Sequence, residues 1–361
     1  MSIRDLKIRE DLWEYLSHAQ KPILLYGMGN GADKILDVCH ARGIEIADTF
    51  ASDGFVRGHS FHGKTVLSYS AAKEKYGDFI VLLSFASSLP DVLDTIHRVA
   101  NEQELYAPDV PVFGRALFDR AFFEAHKQEL EQTEAWLEDD LSRNTFLNVI
   151  QYKLTGNIAY LDACESDEAD TFDSLLHTET LEHYTDLGAY NGDTVRKLLP
   201  VSPRLTRVTA FEPDRRNYRK LSEYAATVRD RIDIQAHNIG AWSKKDILLF
   251  DASGNRNAGF ANGEQKQKVT EVAVNTVDNI LGAQKTDLIK YDVEGSEYEA
   301  LLGSQKTIQR CTPKLLVSLY HRSEDLFSLP KLVKELCPSY RLYLRKLPYI
   351  PAWDLNLYAI G

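Results

Sequence analysis

The sequence predicts an α/β protein. Its C-terminal half is a doubly wound, mainly parallel sheet closed by an antiparallel hairpin, and a smaller Rossmann-like α/β domain precedes it. Three observations predict this. The run Tyr184-Thr185-Asp186-Leu187-Gly188-Ala189-Tyr190-Asn191-Gly192-Asp193-Thr194 places a carboxylate at the end of a strand and small residues in the turn that follows. One strand-helix unit later comes Val208-Thr209-Ala210-Phe211-Glu212-Pro213, a second strand that also ends on an acid. The first hundred residues carry their own alternation of strand and helix signals.

The first domain, residues 1–114, opens with the short buried strand Pro22 to Tyr26 and the turn Gly27-Met28-Gly29-Asn30-Gly31. Ala32 to Arg42 follows as a helix, with Ile35, Leu36, Val38 and Cys39 at apolar positions. Ile44 to Phe50 reads as a second strand, Phe79 to Ser84 as a third, and Leu89 to Ala100 as the helix behind it. The Gly27-x-Gly29-x-Gly31 turn lacks a glycine in the last position of the full dinucleotide fingerprint, where Asp33 and Lys34 stand. A structural unit and an occupied nucleotide site therefore both remain open for this domain.

Residues 115–182 change character. Phe118, Phe122, Phe123, Leu130, Trp136 and Leu137 recur at helical spacing, and the stretch 129–140 holds six acids and no base. Solvated helix faces and an acidic connector account for this composition, so the segment is expected to be a helical bridge. From 183 to 361 strands are expected at 183–188, 207–212, 232–237, 287–292 and 313–320. A detour at 244–280 adds two strand-like runs separated by an Asn- and Gly-rich hairpin loop at Gly254 to Gly263. Tyr340 to Leu347 and Asn356 to Ile360 follow one another without a helix, which predicts the terminal antiparallel hairpin.

Gly188 and Gly192 let the first turn take positive φ and let a ligand approach main chain. Glu212, closing the second strand, suits the 2′ and 3′ hydroxyls of a ribose and disfavours a 2′-phosphate. Asp193 or Thr194 would otherwise simply cap the next helix. Composition narrows the partners. A net charge of −11 argues against nucleic acid as the main partner. There is no run of about 18 apolar residues to span a membrane, and the polar N-terminus is not a secretory signal. The 361 residues suffice for two cores, and Cys39, Cys164, Cys311 and Cys337 are too scattered for a disulfide framework or zinc site. Reduced thiols and a cytoplasmic location are the expectation.

The motifs at 186–194 and 210–213 resemble those of the FkbM-type methyltransferases. So do Asn275-Thr276-Val277-Asp278-Asn279-Ile280, Ile289-Lys290-Tyr291-Asp292-Val293-Glu294-Gly295-Ser296-Glu297 and Ser318-Leu319-Tyr320-His321. The resemblance covers roughly residues 140–361 and implies a class I methyltransferase fold with S-adenosylmethionine as cofactor. It also implies methyl transfer, usually to an oxygen of a sugar or related hydroxylated small molecule. By position it puts Asp186, Gly188, Ala189, Tyr190 and Asn191 at the cofactor's amino-acid half, with Thr194 nearby, and Glu212 and Pro213 at its ribose. It puts Asn238 near adenine, where a turn-forming role serves equally, and Asp292 beside the methyl group.

An alcohol is a poor nucleophile, and a base that takes its proton contributes ~10²–10⁴-fold. His321 ends an apolar strand at the carboxyl edge of the sheet where ligands bind, so it is the expected base, with Asp292, Glu294 or Glu297 to orient or charge-balance it. Asp292, Glu294 and His321 would hold a divalent cation in an alternative that is not expected. Two other readings remain: an NAD-dependent nucleotide-sugar oxidoreductase or isomerase, and a non-catalytic nucleotide-binding module. The terminal hairpin and the first domain leave a homo-oligomer open.

Overall fold

In the computed structural model, residues 2–55, 58, 60–251 and 269–361 are described. Strands β1 (Ile23–Tyr26), β2 (Asp48–Ala51), β3 (Leu67–Ser68), β4 (Ile80–Leu83) and β5 (Glu104–Tyr106) form one parallel sheet in the order β3-β2-β1-β4-β5. β1 and β4 are buried along their whole length, as their unbroken apolar character requires of a sheet covered on both faces, and β2 is buried too although it begins with the polar Asp48 and Thr49. The expected strand at 44–50 begins only at Asp48, because Gly43 and the residues after it still complete the turn out of the helix Asn30–Ala41. The sequence reading missed β3 and β5, each too short to show a period.

Within the stretch 115–182, expected to be a helical bridge, residues 120–176 carry one helix after another. The longest, Asp140–Thr155, starts on Asp139, whose side chain accepts from the Ser142 amide, and stops at Gly156 in the left-handed conformation. It buries Phe146, Val149, Ile150 and Tyr152. Ser142 Oγ accepts from the Leu344 amide at 2.9 Å and Asp139 pairs with Arg345 at 2.6 Å, so the bridge is riveted to the terminal hairpin.

The second sheet is built from β6 (His183–Leu187), β7 (Arg207–Phe211), β8 (Asp233–His237), β12 (Leu288–Tyr291), β13 (Lys314–Ser318), β14 (Arg341–Lys346) and β15 (Leu355–Ile360). Their order is β8-β7-β6-β12-β13-β15-β14, parallel up to β13, with β15 antiparallel to both of its neighbours. The hairpin thus inserts its second strand beside β13 and leaves its first at the edge. A small sheet, β9 (Gly240–Ala241), β10 (Asp246–Asp251) and β11 (Val269–Asn275), makes up the expected detour. The loop expected at Gly254 to Gly263 lies outside the described residues. One apolar core runs from Ile3 and Phe50 through Phe146 to Tyr291, Leu342 and Leu357. It joins the smaller sheet, the bridge and the larger sheet. Among the described residues no helix is long and apolar enough to cross a membrane.

Candidate active site

The chain order reverses between β6 and β12, and ligands in such sheets bind outside the carboxyl ends of the strands at that point. A cavity of about 480 Å³ lies there. Register places Lys290 on β12 directly beside Asp186 on β6, with Ala210 of β7 on the other side. Asp186 is fully buried and neither carboxylate oxygen has a hydrogen bond. Burial pushes its carboxyl up to about 6, although Lys290 Nζ, 3.9 Å away, opposes the shift.

The turn after β6 is locked by backbone. The amides of Gly188 and Ala189 both donate to the Phe211 carbonyl, at 3.1 and 3.0 Å. Gly188 has φ +84°, and a β-carbon there would sit 1.9 Å from the Asp292 carbonyl oxygen, so only glycine fits where the two strand ends cross. Tyr190, at φ 46°, donates its amide to Glu212 Oε2 at 2.7 Å, and the Asp214 amide donates to Glu212 Oε1 at 2.8 Å. Glu212 is thereby fixed at the cavity wall while nearly buried, and burial pushes its carboxyl up to about 8.

Of the expected cofactor contacts, Gly188, Tyr190, Glu212, Pro213 and Asp292 line the cavity, joined by Asp193. Asp186 and Ala189 lie behind the wall with no exposed surface. Asn191 spends its carbonyl and side-chain oxygens on Arg196, and the Thr194 amide donates to the Asp193 side chain. Asn238 points its amide nitrogen at the carbonyls of Glu212 and Pro213, 2.9 and 3.0 Å away. It pins the turn after β7, which is the turn-forming role, and its donors are consumed there.

At the end of β12 the charges alternate. Asp292 accepts from Lys290 Nζ at 3.1 Å, Tyr320 Oη at 2.8 Å and Ser318 Oγ at 3.1 Å. Burial works against its ionisation, but Lys290 and His321 prevail and hold it at about 2. Glu294 also lines the cavity, with φ 54°, and burial raises its carboxyl. His321 does not line the cavity. It is fully buried, with Nδ1 2.9 Å from Glu297 Oε1 and Nε2 3.4 Å from Glu294 Oε2 and 3.7 Å from Asp292 Oδ1. Burial disfavours the imidazolium, yet Glu297 and Glu294 raise its pKa well above the ordinary value. The ring is fully buried behind the cavity wall, and neither of its nitrogens makes a hydrogen bond among the described residues, so in this geometry it does not reach a substrate as the expected general base would. Asp292, Glu297 and His321 bring ligand atoms within 4.8 Å of one another. That donor set would suit a cation.

Sequence reasoning missed the opposite wall. Tyr349, Trp353 and Asp354, from the loop between β14 and β15, and Val112, from the link between the first sheet and the bridge, complete the cavity. No spacing within one motif points to them. An aromatic-acid pair in a hairpin loop is a signal only once β15 is known to lie beside β13.

Residues 186–351 match the family model described as the methyltransferase FkbM domain. Among solved structures, the methyltransferase FkbM of Methylobacillus flagellatus is 23% identical, with a TM-score of 0.69. It covers 94% of this chain and 90% of its own. Fibrillarin of Aeropyrum pernix, solved with S-adenosyl-L-methionine, is 15% identical over 50% of this chain and 66% of its own, with a TM-score of 0.32. An rRNA methylase of Streptococcus thermophilus is 13% identical over 51% of this chain and 90% of its own, with a TM-score of 0.35. No curated protein sequence matches the chain. The motifs, the sheet order and the family match agree: residues 186–351 are similar to the methyltransferase FkbM domain, and the larger sheet has the class I methyltransferase strand order.

Proposed function

We propose that the cavity binds S-adenosylmethionine and that the protein transfers its methyl group to a hydroxyl of a sugar, glycan or related small molecule. The observation that carries this reading is Glu212. A carboxylate offers about four lone-pair sites, and two backbone amides occupy only two of them. The rest suit ribose hydroxyls, and the 480 Å³ of space fits a ligand of this size. Asp186 lies under the Gly188 turn, behind the cavity wall, and acts on the cavity only through its neighbour Lys290.

When bound, the cofactor supplies an activated methyl group on sulfur, and the protein mainly has to align the acceptor oxygen with it. Gly188 and Tyr190 shape the cofactor wall, and Asp292 and Lys290 fix the charge at the reacting end. Glu294 is the carboxylate suited to take the hydroxyl proton, because it faces the cavity and burial raises its proton affinity. His321 acts behind it as a buried positive charge that orients Glu294 and Asp292, a positioning role.

Thermal unfolding in S-adenosylmethionine, its demethylated product and NAD tests the cofactor. A ligand at a hundred times its dissociation constant stabilises by ~2.7 kcal/mol. A shift with NAD and none with either sulfur compound would reverse the reading in favour of an oxidoreductase. A labelled methyl donor offered with sugars and glycans then tests the acceptor. Glu294→Gln should lower kcat by about 10²-fold or more without changing cofactor affinity. Full turnover would remove Glu294 from the reaction.

A further inference from the structure

The half of the cavity beyond Asp292 has a composition of its own. Trp353 stands beside Tyr320, ring centroids 6.2 Å apart and planes 26° apart, and beside Tyr349, at 5.7 Å and 41°. Tyr320 ties this aromatic group to the reacting end through its hydroxyl on Asp292. Next along the loop, Asp354 takes φ +56°, a conformation that Asp tolerates better than most residues. Its main-chain carbonyl accepts from the Leu347 amide and from Asn356 Nδ2. Its carboxylate lines the cavity and accepts a hydrogen bond from none of the described residues.

The local charge is negative. Asp292, Glu294 and Asp354 line the cavity with Lys290, whose ammonium is already shared between Asp292 and Asp186, while Arg216 and Lys220 line it from the helix after β7. A phosphate brought beside Asp292, Glu294 and Asp354 would meet three carboxylates. A neutral ring with hydroxyls fits instead, because its C–H face packs on an indole and its O–H groups donate to a carboxylate.

We propose that Trp353 and Asp354 form the acceptor subsite, which rests on the methyl-transfer reading for its purpose. Trp353 is the platform for a neutral pyranose-like ring, and Asp354 accepts a hydrogen bond from one of its hydroxyls. Sugar phosphates are excluded from the reacting end by the same carboxylates. Burial pushes Asp354 up to about 6, with Asp292 and Glu168 adding to the shift and Lys197 and Lys290 opposing it. The subsite therefore loses its full charge as pH falls through that value.

The test is ligand-observed NMR titration of the full chain with the methyl α-pyranosides of glucose, galactose and mannose, and with glucose 6-phosphate. S-Adenosylhomocysteine is present throughout, and its own affinity is measured separately. At least one neutral pyranoside should bind, and at least tenfold more tightly than glucose 6-phosphate. Trp353→Ala and Asp354→Asn should each weaken it tenfold or more, with the affinity for S-adenosylhomocysteine held within twofold as the control for folding. Binding by the parent protein should weaken below pH 6, and Asp354→Asn should show no such fall. Absence of binding by all three pyranosides, preference for the phosphate, or parent-like binding by Asp354→Asn would overturn the proposal. A parent protein that ignores S-adenosylhomocysteine yet loses sugar binding on these substitutions would sink the cofactor reading and leave the subsite standing.

Discussion

His321→Ala is the most exposing perturbation of this site, because its cost can be worked from the geometry. The ring is fully buried, 2.9 Å from the equally buried Glu297 and within 3.7 Å of Glu294 and Asp292. Removing it strands Glu297 in the core, and breaking a buried ion pair from one side costs ~3–5 kcal/mol. Unfolding entropy for a chain of 361 residues is about 0.8 kcal/mol/K if it unfolds as one unit, so Tm should fall by about 4–7 °C. The effect has a pH signature. The folded pKa of His321 lies above its unfolded value near 6.5, so its stabilisation is complete below pH 6.5 and is lost as pH rises through the raised value. The gap between parent and variant should therefore be wide at pH 6 and should narrow in alkaline buffer. Adding Glu297→Gln to the variant removes the stranded charge and should recover part of the loss. Calorimetry at pH 6 and pH 9 checks this. A Tm for His321→Ala within about 1 °C of the parent at pH 6 would refute the buried imidazolium and return His321 to the pool of candidate bases.

Gly188→Ala places a β-carbon against the Asp292 carbonyl in a left-handed conformation, and should cost about 2–5 kcal/mol of stability in urea denaturation. Glu212→Gln should weaken S-adenosylhomocysteine by about 10–100-fold in calorimetric titration, the range for hydrogen bonds to a charged group. In the free protein the raised carboxyl of Glu212 makes stability decline between its unfolded value near 4.3 and about pH 8, and Glu212→Gln should flatten that decline.

Much of the fold was legible from short strand-like runs that alternate with helical segments. The sequence placed β6, β7, β8, β12 and β13 within a residue or two of their observed bounds. The terminal hairpin was legible for the complementary reason, two apolar runs with no helical period between them. β3 and β5 were not, since two or three residues carry no period.

The residues at strand ends divide in the same way. Gly188 and Glu212 were identifiable because a tight turn and a strand-end acid are local requirements. The different fates of Asp186, Asn238 and His321 depend on which backbone groups and charges arrive from elsewhere in the chain. His321 was expected to end the strand, but it lies three residues beyond Ser318, where β13 stops, and the carboxylates around it, Glu294 and Glu297, come from another strand-helix connection. By itself, then, the sequence determined the class of fold and the Gly188 and Glu212 wall of the cavity, because hydrophobic period and turn chemistry act over a few residues. The tertiary structure decided which carboxylates are buried, which cation they share, and that Trp353 and Asp354 complete the pocket. Those outcomes rest on strand order, which brings residues far apart in the chain, such as Asp186 and Lys290, within reach of one another and strips them of water.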